Sequence, residues 1–260
     1  MSLVVTGLTK RYGGLCAVDS VGFTAAPGEI TALIGPNGAG KTTLLNLVSG
    51  VVRADHGQCR LFDTDVSGRT PHELASLGLT RTYQSPQLFD DMDVLSTVMV
   101  GAHLGGSSGF VGSMLRLGGA RADERRIEER ARDAIAKVGL PEELLQRPAT
   151  DLAYGLQRRV EIARALAMQP KVLLLDEPAA GLNSRETSEL AELIHDLARG
   201  GLIVLLVEHD MDMVMGYSQK VVVMNFGRKI AEGTPEVVQQ SQDVIDAYLG
   251  TEAVLEGGDA

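Results

Sequence analysis

The chain has no tryptophan, two cysteines and an aromatic content of only 4%. With hydrophobic content still at 44%, this scarcity of rings favours an aliphatic α/β core over an all-β sandwich. Cys16 and Cys59 are too few for a disulfide framework or a zinc site, and both are expected to stay reduced, as in the cytosol. No apolar run approaches the roughly 18 residues needed to cross a bilayer. The opening residues, Met1 to Thr6, lack the basic and long apolar parts of a signal peptide. Positive charge is scarce too: 24 Lys and Arg against 34 Asp and Glu leave a net charge of −10. Such a balance gains nothing from a phosphate backbone, so nucleic acid is not an expected partner. At 260 residues the chain can bury a large core in one or two domains. No internal repeat is visible.

Against these absences stands Gly35-Pro36-Asn37-Gly38-Ala39-Gly40-Lys41-Thr42-Thr43. It fits G-x-x-x-x-G-K-[ST], the phosphate-binding loop of nucleotide hydrolases. An apolar run, Ile30 to Ile34, precedes it, and Leu44 to Val48 follows, which is the strand–loop–helix setting the motif requires. Glycines let successive N–H groups turn towards phosphate oxygens, and the helix N-terminus adds partial positive charge. Lys41 is placed to reach the β- and γ-phosphates, and the Thr42 hydroxyl to ligate Mg²⁺.

Elsewhere, short strands are expected at Leu3 to Val5, Val18 to Phe23, Gln58 to Phe62 and residues 79–83. Helices are expected over Pro71 to Leu77, Asp93 to Val100, Arg121 to Val138, Asp151 to Met168, Ser184 to Ala198 and Asp210 to Gly216. Lys171 to Asp176 and Leu202 to Val207 are continuous aliphatic runs, the mark of strands covered on both faces. Val221 to Asn225 and Lys229 to Glu232 read as further strands, followed by a helical region from Thr234 to about Leu249. Residues 105–119 form a Gly- and Ser-rich insertion that also carries Phe110, Val111, Met114, Leu115 and Leu117. Strands alternating with helices predict a mainly parallel sheet with helices on both sides.

Asp176 ends one aliphatic strand, where ligands of open α/β sheets bind, and suits a metal ligand; adjacent Glu177 suits a base for an attacking water. His209 follows the other aliphatic strand and Gln84 follows residues 79–83; alone, neither would stand out. Leu152-Ala153-Tyr154-Gly155-Leu156 begins a helix, and a helix N-terminus can bind an anion.

Taken in order, the phosphate loop, Gln84, the Leu152-centred helix start, Asp176-Glu177-Pro178, Ala180-Gly181-Leu182-Asn183 and His209 resemble the ATP-binding subunit of an ABC transporter. There these segments are Walker A, Q-loop, signature, Walker B, D-loop and switch histidine. The resemblance spans Tyr12 to Gly233. Leu152-Ala153-Tyr154-Gly155, Asp176 to Asn183, the long insertion, Gly233-Thr234-Pro235-Glu236 and Ala247-Tyr248-Leu249-Gly250 are similar to the ATPases of branched-chain amino acid importers, the LivG type. Importers of urea, amides or other small polar solutes look alike.

The resemblance implies a P-loop NTPase (RecA-like) α/β fold in a single domain over residues 1–250. Residues 1–90 and 166–232 would form the core with an N-terminal antiparallel β subdomain. Residues 91–165 would form an inserted helical subdomain, 233–250 a C-terminal helical extension and 251–260 a flexible tail. It implies ATP and Mg²⁺ as ligands. The nucleotide would be held by Tyr12, Gly35, Asn37, Gly38, Ala39, Gly40, Lys41, Thr42 and Thr43, with Tyr12 stacked on adenine. Thr42, Gln84 and Asp176 would serve the metal, Glu177 would be the catalytic base, and His209 and Gln84 would sense the γ-phosphate. Two subunits would close head to tail, with Ala153, Tyr154, Gly155 and Leu156 touching the partner's ATP. Two membrane permeases would dock in a groove near Gln84 to Met92, with Leu88, Phe89 and Met92 as apolar contacts. An external solute-binding protein would act indirectly, and the chain would sit at the cytoplasmic face of the inner membrane. A soluble ABC ATPase acting on nucleic acid or ribosomes would need a coiled-coil insertion, a second cassette or a basic face, none of which is evident.

The signature departs from the usual Leu-Ser-Gly-Gly-Gln at Ala153, Tyr154 and Leu156, and Asn183 stands where many relatives have Asp. The missing hydroxyl at Ala153 removes a donor to a charged group, a loss of about 1.5–3 kcal/mol. Turnover is therefore expected to be slowed rather than abolished.

Overall fold

The computed structural model describes residues 2–84, 87–104 and 120–248. The 105–119 insertion, Ser85, Pro86 and the tail from residue 249 lie outside the described residues. The fold is built on two sheets. The first is antiparallel, in the order β2 (Leu15–Ala25), β1 (Leu3–Tyr12), β4 (His56–Leu61) and β5 (Thr64–Asp65). β1 runs well past the expected Leu3 to Val5. Register shifts after Val5, beside Gly7, interrupt the alternation and hide its continuation.

The second sheet has six strands: β10 (Arg228–Gly233), β9 (Lys220–Asn225), β3 (Ile30–Ile34), β8 (Ile203–Val207), β7 (Val172–Asp176) and β6 (Leu79–Arg81), in that order. All neighbours are parallel except β9 and β10. β3, β7 and β8 are buried at every residue, as their aliphatic runs require. Along β7 the two faces feed different cores. Leu173 and Leu175 pack towards the helices, while Val172 and Leu174 pack towards the antiparallel sheet.

β6 stops at Arg81, short of the expected residue 83. The Tyr83 amide is taken by the Glu161 carboxylate and its carbonyl by Arg158, so neither continues the ladder to β7. α1 (Lys41–Val48) follows the phosphate loop, and α2 (Pro71–Ser76) carries a capping box from Thr70 and Glu73.

Three helices form a block beside the parallel sheet: α3 (Val94–Leu104), α4 (Ala120–Lys137) and α5 (Tyr154–Ala167). Asp93 caps α3 through the Ser96 amide, and α3 runs beyond the expected Val100 to pack on α5. Ala131, Ala134, Ile135 and Val138 make the buried face of α4 and its end, while Glu128 and Arg132 pair in solvent. α5 begins at Tyr154, not at Asp151. Residues Ala149–Asp151 form a 3₁₀ turn, and Leu152 and Ala153 are extended before the helix starts. The Gln157 amide holds that turn by donating to the Thr150 and Leu152 carbonyls. Then follow α6 (Ser184–Arg199), capped by Asn183 with Glu186, α7 (Met211–Tyr217), capped by Asp210, and α8 (Pro235–Gln239). Residues 242–248 are also helical.

The crossing of α3 and α5 is set by Gly101. A Cβ there would lie 2.0 Å from the Arg164 carbonyl oxygen. Both atoms are backbone-fixed, so the helices themselves would have to separate. Gly101→Ala is expected to destabilise the chain by about 1–3 kcal/mol, read from the urea midpoint. An unchanged midpoint would mean that the two helices are free to re-space.

Candidate active site

The phosphate loop is shaped by its neighbours as much as by its own sequence. At Gly35 a Cβ would fall 2.1 Å from the Met224 carbonyl oxygen, and at Gly40, which has φ of 98°, 2.3 Å from that of Ala17. No side chain fits at either position, so the backbone alone lines the cradle. The Gly227 amide, from the β9–β10 turn, donates to the Ala39 carbonyl and closes the loop from outside. Lys41 is buried, and its ammonium donates to the Gly35 carbonyl at 2.6 Å and the Pro36 carbonyl at 3.0 Å. Burial holds its pKa below the usual lysine range, with Glu177 and Asp176 pulling the other way. A cavity of about 430 Å³ opens above the loop, within the usual size range of ligand pockets. Its walls include Tyr12, Asn37, Thr42, Thr43, Glu177 and His209.

Glu177 is the meeting point. Its backbone takes φ of 48°, a left-handed conformation uncommon outside glycine, of the kind that gathers at active sites. The Gln84 amide donates to Glu177 Oε2 at 2.7 Å, and His209 Nε2 lies 2.8 Å from Oε1. Three expected site residues, distant in sequence, are thus brought together beside the phosphate loop. Asp176, the last residue of β7, is bound at Oδ2 by Arg81 at 2.7 Å. The same guanidinium donates to Asn46 Oδ1 and Ser49 Oγ in α1 and its cap.

The signature residues lie elsewhere. None of Ala153, Tyr154, Gly155 or Leu156 lines the cavity at the phosphate loop. Ala153 is the N-cap of α5 and offers no side-chain bond to the helix amides. The Tyr154 hydroxyl accepts from Arg158 at 3.1 Å, and its ring sits over Gly181. Leu156 packs against the helical-side core. Of the groove residues, Leu88 and Phe89 line a cavity of about 550 Å³ between the helical block and the sheets. Met92 does not; it is half-buried, and its carbonyl accepts from the Ala149 amide.

Four side chains that the sequence reading did not single out complete the arrangement: Arg81, Arg158, Glu161 and Glu208. Glu208 is buried and accepts from the Ala179 amide at 2.7 Å and the His209 amide at 2.9 Å. Burial pushes its carboxyl above the usual range even though these donors pull it down. A charged residue directly after five buried aliphatics was the available signal for Glu208. For Arg158 and Glu161 it was two opposite charges three residues apart on one helix, spaced to pair with each other.

The two cysteines offer a chemical test of the cavity. Cys16 is half-exposed and lines it, whereas Cys59 is buried, with its thiol pushed up to about 12. Maleimide at neutral pH is expected to label Cys16 and spare Cys59, and added ATP to slow the labelling. Equal labelling of both thiols would show that Cys59 is accessible, and no protection of Cys16 by ATP would place the nucleotide elsewhere.

Comparison with known proteins follows the same lines. The ABC transporter family model matches residues 18–180. A second model, branched-chain amino acid ATP-binding cassette transporter, matches residues 228–254. The chain is 43% identical to the high-affinity branched-chain amino acid transport ATP-binding protein LivG of Escherichia coli K12, over 95% of this chain and 97% of that one. Identity is 42% to BraF of Pseudomonas aeruginosa, with the same coverage. Among solved structures, the ADP conformation of MJ1267, an ATP-binding cassette of an ABC transporter, superposes with a TM-score of 0.84 at 31% identity. It covers 96% of this chain and 99% of that one. The two-sheet architecture is therefore that of a P-loop ABC ATPase cassette. With the phosphate loop, Glu177, Gln84 and His209 set on that architecture over nearly its full length, the chain belongs to the ABC transporter ATP-binding family, in the branch of the branched-chain amino acid transport ATP-binding proteins.

Proposed function

We propose that this chain hydrolyses ATP to energise the uptake of branched-chain amino acids, through closure of two ATP-binding subunits. The observation that carries the hydrolytic part is Glu177, held by Gln84 and His209 at the rim of the phosphate loop. A carboxylate so placed can accept a proton from a water attacking the γ-phosphate. Gln84 and His209 each bring an N–H that can serve either Glu177 or a phosphate oxygen. Engagement of the γ-phosphate would draw these donors from Glu177 and leave its carboxylate free to act as base. Lys41, now satisfied by two carbonyls of its own loop, would turn to the β- and γ-phosphates. Tyr12, about half exposed, is free to stack on adenine.

Thr42, Gln84 and Asp176 supply hydroxyl, amide and carboxylate oxygens, the hard donors that suit Mg²⁺. Among the described residues no group of three or more His, Cys, Asp or Glu is placed to hold a metal ion, so this set of oxygen donors is the one available beside the phosphate loop. Bound there, the ion would offset charge on the phosphates.

The absence of signature residues from this chain's own cavity supports a composite site, with a second subunit's α5 N-terminus facing the γ-phosphate. The groove at Leu88 and Phe89 would receive a short helix of a membrane permease. No helix among the described residues is long and apolar enough to cross a membrane. The relatives' role as transport ATP-binding proteins supports peripheral attachment at the cytoplasmic face. The branched-chain substrate rests on the relatives and on the match at residues 228–254.

Glu177→Gln is expected to lower ATP turnover by about 10²–10⁴-fold while keeping ATP binding, and to accumulate a dimer with ATP in light scattering. Unchanged turnover would remove Glu177 as the base. Deletion of the gene is expected to abolish uptake of labelled leucine through this system. Normal leucine uptake with impaired uptake of urea or amides would reassign the solute.

A further inference from the structure

Arg158 and Glu161 are 1% and 2% exposed and pair at 3.1 Å inside the helical block. Removing two charges from water is costly, and an apolar pair of similar size is often as stable or more so. Stability alone therefore does not account for them. Three of their remaining bonds share one target. Arg158 Nη1 donates to the Tyr83 carbonyl at 2.9 Å, and Nη2 donates to the Gln84 carbonyl. Glu161 Oε1 accepts from the Tyr83 amide at 3.1 Å. One turn further along the same face, Arg164 donates to the Gln87 carbonyl. Residues 158, 161 and 164 lie at i, i+3 and i+6, so one stripe of α5 grips the loop on both sides of residues 85 and 86.

The grip extends to the start of the helix. Arg158 Nη2 also donates to the Tyr154 hydroxyl, and the Tyr154 ring rests on Gly181. A continuous chain of contacts thus runs from Gly181 through Tyr154 and Arg158 to Gln84, whose side chain meets Glu177.

We propose that Arg158 and Glu161 are positioning residues that join the helix bearing Gly155 and the loop bearing Gln84 into one moving part. Rotation of that helix then carries Gln84 onto or off Glu177, and Tyr154 adds its hydroxyl to the joint. The proposal rests on the roles of Glu177 and Gln84 given above.

The test uses the purified full chain and four forms: Arg158→Met/Glu161→Leu, Arg158→Lys, Gln84→Ala, and the apolar pair combined with Gln84→Ala. The apolar pair is expected to stay folded at the assay temperature and to keep its KM for ATP within about twofold, because neither residue lines the nucleotide cavity. Its kcat is expected to fall about tenfold or more, as misplacement of a reacting group does. Arg158→Lys is expected to lose kcat as well, because an ammonium lacks the planar fork that spans two carbonyls. Combined with Gln84→Ala, the apolar pair should cost nothing further, since both act through one side chain. A kcat equal to wild type in the apolar pair, or losses that multiply with Gln84→Ala, would overturn the proposal. Should the apolar pair not fold, Arg158→Lys decides, and wild-type turnover there would overturn it. If Gln84→Ala alone leaves turnover unchanged, the proposal falls together with the role of Gln84. Slow Gln84→Ala beside a normal clamp variant overturns the clamp alone.

Discussion

Val207 stands opposite Leu33 on one side and Asp176 on the other. This register is the constraint on which the site depends. It brings the ends of β3, β8 and β7 to one level, so that the phosphate loop, Glu177 and His209 emerge side by side. The Glu177 amide then donates to the Val207 carbonyl, which extends the alignment one residue beyond the strand. A slip of one residue would exchange the two faces of a strand and, along β7, move Leu173 and Leu175 into the wrong core. The aliphatic cores therefore do more than hold the sheet together. Their two-sided burial fixes the register, and the register fixes the distances between the phosphate loop, Glu177 and His209.

The charges are arranged on the same logic. The chain is acidic overall, yet the groups beneath and beside its cavity include Lys41, Arg81 and Arg158, all buried or nearly so. Each is matched within reach. Lys41 has two carbonyls, Arg81 has Asp176 with two side chains of α1 and its cap, and Arg158 has Glu161 and the loop backbone. Buried charges without partners are among the most damaging features a fold can contain, whereas matched ones mainly restrict geometry. Here the restriction falls on the segments of the candidate site. Arg81 ties α1 to Asp176, Glu208 ties Ala179 to His209, and Arg158 ties α5 to Gln84.

This arrangement also explains what the sequence disclosed and what it hid. Phosphate loop, aliphatic strands and flanking acids are local patterns, each contained in a dozen residues or fewer, and their physical meaning survives without knowledge of the fold. The order of the remaining motifs supplied the family. The anchors were hidden because they join residues far apart, such as Arg81 with Asp176 or Arg158 with Tyr83. A lone arginine in a strand, or a charge pair on a helix, looks like a solvated face until burial is known. The end of β6 was misjudged for the same reason. Thr82 and Tyr83 continue the β-like pattern, but the Tyr83 amide and carbonyl are claimed by α5. Met92 shares the apolar character of Leu88 and Phe89 but not their place at the cavity, because apolar character carries no direction.

The altered signature takes a different meaning in this light. Read along the chain, Tyr154 and Leu156 are losses relative to Gly and Gln. In the fold, Leu156 adds apolar surface to the helical core, and Tyr154 adds a hydroxyl to the Arg158 joint. Ala153 leaves the first amides of α5 without a side-chain cap, where a serine would compete for them as it does at ordinary helix starts. Those amides then remain for an anion. What the altered signature gives up in hydroxyl donation it returns in the hold of the helix on the loop bearing Gln84. Recognition of a partner's phosphate would then rest on backbone dipoles, and its consequence for Glu177 on the rigidity of the helix that carries them.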